Sequence, residues 1–170
     1  MNKIQALTLI LGAAAAGAAQ SASTTTTSFQ VTASLQSVCT ATAAALNFGG
    51  YTPGGGAVTG RTNVIVNCTK NTPFTVLLNG GSGGGTVAQR LMQNGTNHLQ
   101  YNLYTDSGLT TIFGDGSGTG GSKTVNGTGA GTAVANAVQV PVYGQVPDSA
   151  ANQVVLPGSY ADTITVTVTY

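Results

Sequence analysis

The sequence predicts an all-β protein, a sandwich of short strands, and three observations predict it. After residue 22, apolar and polar residues alternate in run after run; no window carries a helical stripe with capping residues; and Gly, Pro and Asn clusters punctuate the runs. No unit recurs at a fixed period, which favours a sandwich over a propeller or a solenoid. With 41% hydrophobic residues and almost balanced charge, the chain reads as folded rather than disordered.

The chain opens with Lys3, an apolar run over residues 4–19, and small residues at Ser21 and Ala22. That is the pattern of a secretory signal peptide, expected over residues 1–21, with cleavage after Ala19 or Ala22 as alternatives. The apolar run is short for a bilayer and nothing later approaches twenty consecutive apolar residues, so no membrane span is expected in the mature chain. About 150 residues then remain, the length of one domain.

The first alternating run places Phe29, Val31, Ala33 and Leu35 on one face and Ser28, Gln30, Thr32 and Ser34 on the other. Residues 39–48 form a second strand-like stretch ending at Gly49 and Gly50, followed by a Gly-rich loop with Pro53. Residues 61–69 and 74–78, separated by Asn71, Thr72 and Pro73, read as a β-hairpin. Residues 80–85 read as a flexible loop, 99–104 as a strand, and Ile112 and Phe113 as the end of a short one. Residues 114–131, rich in Gly, Ser and Thr, are a loop or linker by composition. Residues 137–146 and 160–170 are the last two strands. In the final one Ile164, Val166, Val168 and Tyr170 alternate with Thr163, Thr165, Thr167 and Thr169.

Charge excludes some partners. Charged residues are 5% of the chain, against roughly 25% in an average domain. Without Lys3, four cations stand against Asp106, Asp115, Asp148 and Asp162. Such a neutral surface offers no attraction to nucleic acid or anionic lipid. Cys39 and Cys68 are the only cysteines, and an even count in an exported protein predicts a disulfide between them.

Enzymatic and metal chemistry find little to build on. His98 is the only histidine, and no motif sets a serine or an acidic partner beside it. Residues 121–124 lack the glycine directly before Lys123 and the following helix that a phosphate loop needs. One histidine, two paired cysteines and no glutamate leave a zinc site short of ligands, and four scattered aspartates do not spell a calcium loop. Asp106 and Asp162 read as turn or strand-edge residues rather than a glycosidase pair. No catalytic residue, metal or cofactor is expected. The six tyrosines leave a secreted carbohydrate- or ligand-binding module as an alternative function.

Periodicity does not say whether the strand at 29–35 pairs inside its own sandwich or reaches out to another molecule. In the second case the sandwich lacks a strand and exposes an apolar groove beside an edge, an arrangement prone to aggregate unless another strand covers it.

A set of motifs bears on that choice: Phe29-x-Val31-x-Ala33-x-Leu35, Cys39-Thr40, Leu46-Asn47-Phe48-Gly49, Leu99-x-Tyr101-x-Leu103-Tyr104-x-Asp106, Phe113-Gly114-Asp115-Gly116, Tyr143-Gly144, and Pro157-Gly158-x-Tyr160-x-Asp162-Thr163 with residues 166–170. Together they resemble the spore coat protein U domain family, which includes the major subunits of archaic chaperone-usher pili. The resemblance implies an incomplete immunoglobulin-like β-sandwich of six strands plus an N-terminal donor strand. It divides the mature chain into a donor segment, 22–36, and a pilin domain, 37–170. It further implies that Phe29, Val31, Ala33 and Leu35 are donated to a neighbour, and that the Cys39–Cys68 bond joins the first two strands. Ile164, Val166, Val168 and Tyr170 would wall the acceptor groove and meet the chaperone. The implied partners are identical subunits in a homopolymer, a periplasmic chaperone, an outer-membrane usher and a tip subunit. The implied location is a surface pilus serving adhesion and biofilm formation, with a spore or cyst coat as the alternative.

Overall fold

The structure, a computed structural model, describes residues 20–170. Most of the expected signal peptide, residues 1–19, lies outside the described residues. The chain divides between Ser34 and Leu35 into two units. In the first, residues 20–34 carry no strand pairing and are exposed.

The second unit is built from eight strands, against the six implied by resemblance: β1 (Cys39–Ala43), β2 (Val58–Cys68), β3 (Pro73–Leu78), β4 (Arg90–Asn94), β5 (Asn97–Tyr104), β6 (Val125–Thr128), β7 (Val138–Val146) and β8 (Val166–Thr169). The described residues contain no α-helix, only three 3-10 turns, and no helix long and apolar enough to cross a membrane. All strand pairs are antiparallel, in a five-stranded sheet ordered β1-β2-β7-β5-β4 and a three-stranded sheet ordered β6-β3-β8. The result is the expected immunoglobulin-like sandwich.

The core lies between the sheets and follows period-2 patterning. Val64, Val66 and Cys68 of β2 and Val140, Val142 and Val146 of β7 are buried from one sheet; Phe74, Val76 and Leu78 of β3 are buried from the other. This corrects the hairpin expected at 61–78. Strands β2 and β3 do not pair; they belong to different sheets. Both inner faces are largely apolar, so the two strands cover each other across the core instead of sharing an edge. The corner between them is a tight one. Asn71 takes a left-handed backbone (φ 63°) and the Thr72 amide donates to the Thr69 carbonyl at 3.1 Å.

Three more expectations change. The second strand is shorter, ending at Ala43, because residues 44–48 leave the sheet edge. Residues 114–131 are not a plain linker, since β6 lies within them and pairs with β3, Gly127 opposite Phe74. The glycine is accommodated because the Phe74 ring occupies the space a Cβ would need. Residues 80–85 are not loose either. Cβ atoms built at Gly80, Gly83 or Gly85 would meet backbone of residues 85–91, so these glycines allow a close backbone crossing.

That crossing is fastened by Arg90, which is fully buried. Its guanidinium donates to the carbonyls of Asn79 (2.8 Å) and Phe113 (2.7 Å) and to Asn102 Oδ1 (2.6 Å). Burial pulls its pKa down from the ordinary value. The side chain acts as a hub for carbonyls that the ends of β3 and the 112–113 bridge leave unpaired.

Candidate functional site: an open cleft beside strand β8

At one side the sandwich is open. Among the described residues β8 pairs only with β3, leaving its other edge without a strand. Beside it runs a cleft of about 430 Å³ that reaches from Ala43 of β1 to Val166, with Val64, Leu78, Leu103 and Val142 at its floor. A second hollow of about 920 Å³ continues it between residues 45–53 and 155–160, sharing Leu46, Phe48, Met92 and Tyr160 with the first. The floor is therefore the core itself, seen through a gap in its wall.

Side chains from the irregular segment after β1 shape that floor. Leu46 and Phe48 lie over a notch formed by Gly60 and Gly144, which face each other across β2 and β7. A Cβ at Gly60 would stand 2.7 Å from Leu46 Cδ2, and one at Gly144 2.8 Å from Phe48 Cζ. Only glycine at both positions lets these two residues reach the inner face. Phe48 then meets Tyr101 edge to face, ring centroids 5.9 Å apart.

Two carboxylates fix the surrounding loops. Asp162, on the wall, accepts from the Tyr101 hydroxyl at 2.6 Å and from the Ser82 and Thr163 amides, each at 2.7 Å. Burial and this carboxylate push the Tyr101 hydroxyl pKa far above the usual phenol range. Asp148 accepts from the Tyr51 hydroxyl at 2.6 Å and from the Gly54 and Gly56 amides, both at 3.0 Å, clipping the loop at the second hollow. The Tyr51 bond and the amides hold Asp148 at about 2, and Tyr51 is pushed up to about 12 by burial and by Asp148. Nearby, fully buried Asn152 donates to the carbonyls of Gln100 (2.9 Å) and Pro147 (2.7 Å) and accepts the Gln100 amide (2.8 Å).

Cys39 and Cys68 are bonded and stand opposite each other in the β1–β2 register. Ile164 and Val166 line the cleft; Val168 packs, half-buried, against the core; Tyr170 is exposed. Phe29 and Val31 are 87% and 82% exposed, Leu35 is 91% exposed, and Ala33 is exposed too. His98 is exposed on β5, and among the described residues no cluster of three His, Cys, Asp or Glu side chains forms a metal site. Sequence reasoning missed the roles of Leu46, Phe48, Tyr101 and Asp162, although each sits in a motif it had noted. Arg90 and Asn152 left no signal, since their partners are mostly backbone groups brought close by the fold.

Residues 25–167 match the family model of the Spore Coat Protein U domain. No curated protein sequence matches the chain. Among solved structures the chain is similar to the CsuC-CsuE chaperone-tip adhesion subunit pre-assembly complex from archaic chaperone-usher Csu pili of Acinetobacter baumannii. The TM-score is 0.50 at 21% identity, over 79% of this chain and 40% of that one. A second similar structure, a chaperone-tip adhesin complex of CFA/I fimbriae biogenesis, gives a TM-score of 0.40 at 17% identity, over 74% of this chain and 38% of that one. The chain thus spans about 40% of the length of the solved chains it matches.

Proposed function

We propose, from the premise that this chain belongs to the Spore Coat Protein U domain family, that it is the repeating subunit of a chaperone-usher pilus, polymerised by donor-strand complementation. The observation that carries this reading is the cleft. An apolar core open along the unpaired edge of β8 is the shape that an added strand completes, through backbone hydrogen bonds along the edge and alternate side chains in the floor.

The donor is residues 24–35 of a second copy. Its apolar face, Phe29, Val31, Ala33 and Leu35, matches the chemistry of the cleft, which carries no cation and whose one carboxylate, Asp162, is already hydrogen-bonded. Burying four such side chains is worth about 6–12 kcal/mol before ordering costs, with Ala33 contributing least. One chain carries both an exposed alternating segment and an open apolar cleft, and that supports a rod position. Before assembly a periplasmic chaperone covers the cleft, and an outer-membrane usher is the site where the next copy replaces it. A tip subunit ends the fibre, and the assembled pilus serves surface adhesion and biofilm growth.

The test is assembly. Val31→Asp or Leu35→Asp places a charge where the floor is apolar, while leaving the sandwich untouched. The expected outcome is a chaperone-held subunit of normal yield that forms no fibres in electron micrographs; normal fibres from either variant would contradict the reading.

A further inference from the structure

Strand β8 is only four residues long, Val166–Thr169, too short a rail for a donor whose apolar face spans seven residues, 29–35. The segment before it, 160–165, belongs to no named strand, yet its backbone follows an edge pattern. Ala161 exchanges hydrogen bonds with Gln93 (2.8 and 3.1 Å), the Thr163 carbonyl accepts the Ser82 amide (3.1 Å) and the Thr165 carbonyl accepts the Asn79 amide (3.2 Å). Side chains complete the row: the Thr165 amide donates to Asn79 Oδ1 (2.9 Å) and the Thr163 amide to Asp162 Oδ1 (2.7 Å). Odd-numbered residues thus bond toward the sandwich, and the register carries the same parity from Thr165 opposite Asn79 into β8, where Thr167 stands opposite Leu77 and Thr169 opposite Thr75. In an extended chain the backbone groups of alternate residues point to opposite sides. Those of Asp162, Ile164, Val166 and Val168 therefore face the side of the cleft.

This half of the wall hangs on one carboxylate. Asp162 Oδ1 takes the amides of Ser82 (2.7 Å) and Gly83 (3.0 Å), the Ser82 hydroxyl (2.9 Å) and its neighbour Thr163, while Oδ2 takes the Tyr101 hydroxyl. The space of a Cβ at Gly81 is filled by the same carboxylate. It joins β5, the 79–85 crossing and the wall at one point.

We infer that the acceptor edge runs over seven residues, 162–168, and that Asp162 is the positioning residue that holds its upstream half ready for an incoming strand. The inference rests on the strand-exchange reading above and adds to it the length of the edge and the group that sets it. Seven extended residues span roughly 20 Å, the same reach on donor and acceptor.

The experiment uses the full mature subunit delivered by its chaperone and compares fibre assembly rates for Phe29→Ala and Leu35→Ala donors, each with wild-type and Asp162→Ala acceptors. On the wild-type acceptor each truncation slows assembly by about tenfold or more. On Asp162→Ala, the truncation that faces residues 162–164 becomes silent, within about twofold, while the other keeps its full effect. Retention of both effects, or equal loss of both, overturns the inference. Absence of any wild-type fibre would instead sink the strand-exchange reading itself. Where Asp162→Ala does not fold, amide exchange on chaperone-held Asp162→Asn decides. Protection at Thr163 and Thr165 should fall about tenfold while Thr167 and Thr169 keep theirs, and a uniform fall overturns the inference.

Discussion

Strands β3 and β8 are neighbours in one sheet, with the same alternating pattern and a shared register, Val76 opposite Val168 and Leu78 opposite Val166. Their burial differs. Val76 and Leu78 are 0% and 1% exposed, while Val166 and Val168 stay half-buried. The side chains are alike and the facing sheet is the same, so the difference comes from flanking. Strand β3 has a partner on each side, and β8 has one on one side only. Burial in a sandwich is thus set as much by lateral neighbours as by the residue's own pattern, and the half-buried row borders the unpaired edge.

Truncating similar side chains on β3 and beside the open edge tests whether flanking sets this difference. Leu78→Ala leaves a cavity under the cleft floor, where the side chain is only 1% exposed, and should cost about 2–5 kcal/mol in urea unfolding of the lone subunit. Ile164→Ala, at the open wall, should cost less than about 1.5 kcal/mol there, and its larger effect should appear as faster fibre dissociation. Equal losses in the lone subunit would erase the distinction between the two sides. An effect smaller than that of Leu78→Ala is expected at the glycine notch. Gly144→Val drives a side chain into Phe48 and Leu46 and should destabilise by about 1–3 kcal/mol. It should also narrow the cleft, so that fibre yield drops further than stability alone explains.

The weakest expected effect concerns the clip at the second hollow. Asp148 is held near 2, below its ordinary 3.8, so its contribution is complete above that ordinary value and is lost as pH falls through about 2. Tyr51 is raised from 10.0 to about 12, so its contribution is complete below 10 and is lost as pH rises through about 12. Both describe one hydrogen bond. The difference in melting temperature between wild type and Tyr51→Phe should therefore stay flat from about pH 4 to pH 10 and shrink outside that window. A difference that changes near neutral pH would show that the clip is not this pair.

What the sequence revealed, and what it hid, follows from how far each interaction reaches along the chain. Strict alternation at 163–170 showed an apolar face on which Ile164 and Val166 line the cleft, and an even cysteine count gave the Cys39–Cys68 bond, because both signals are local or arithmetic. Alternation says which face is apolar but not which sheet a strand joins, and so β2 and β3 looked like a hairpin. Glycine-rich composition hid both β6 and the tight crossing at 80–85, since glycine serves flexible loops and close backbone contacts equally well. The Asp162 cluster joins Ser82, Tyr101 and Thr163, residues up to 81 positions apart, and only the folded chain brings them together.

On the strand-exchange proposal, a second copy's leading segment closes the cleft. A reconstruction of the assembled fibre at side-chain resolution tests it most directly. The expected map has Phe29, Val31, Ala33 and Leu35 of one copy seated in the next copy's cleft, paired along residues 162–168. The same residues paired within their own molecule, or a cleft left open in the fibre, would contradict it.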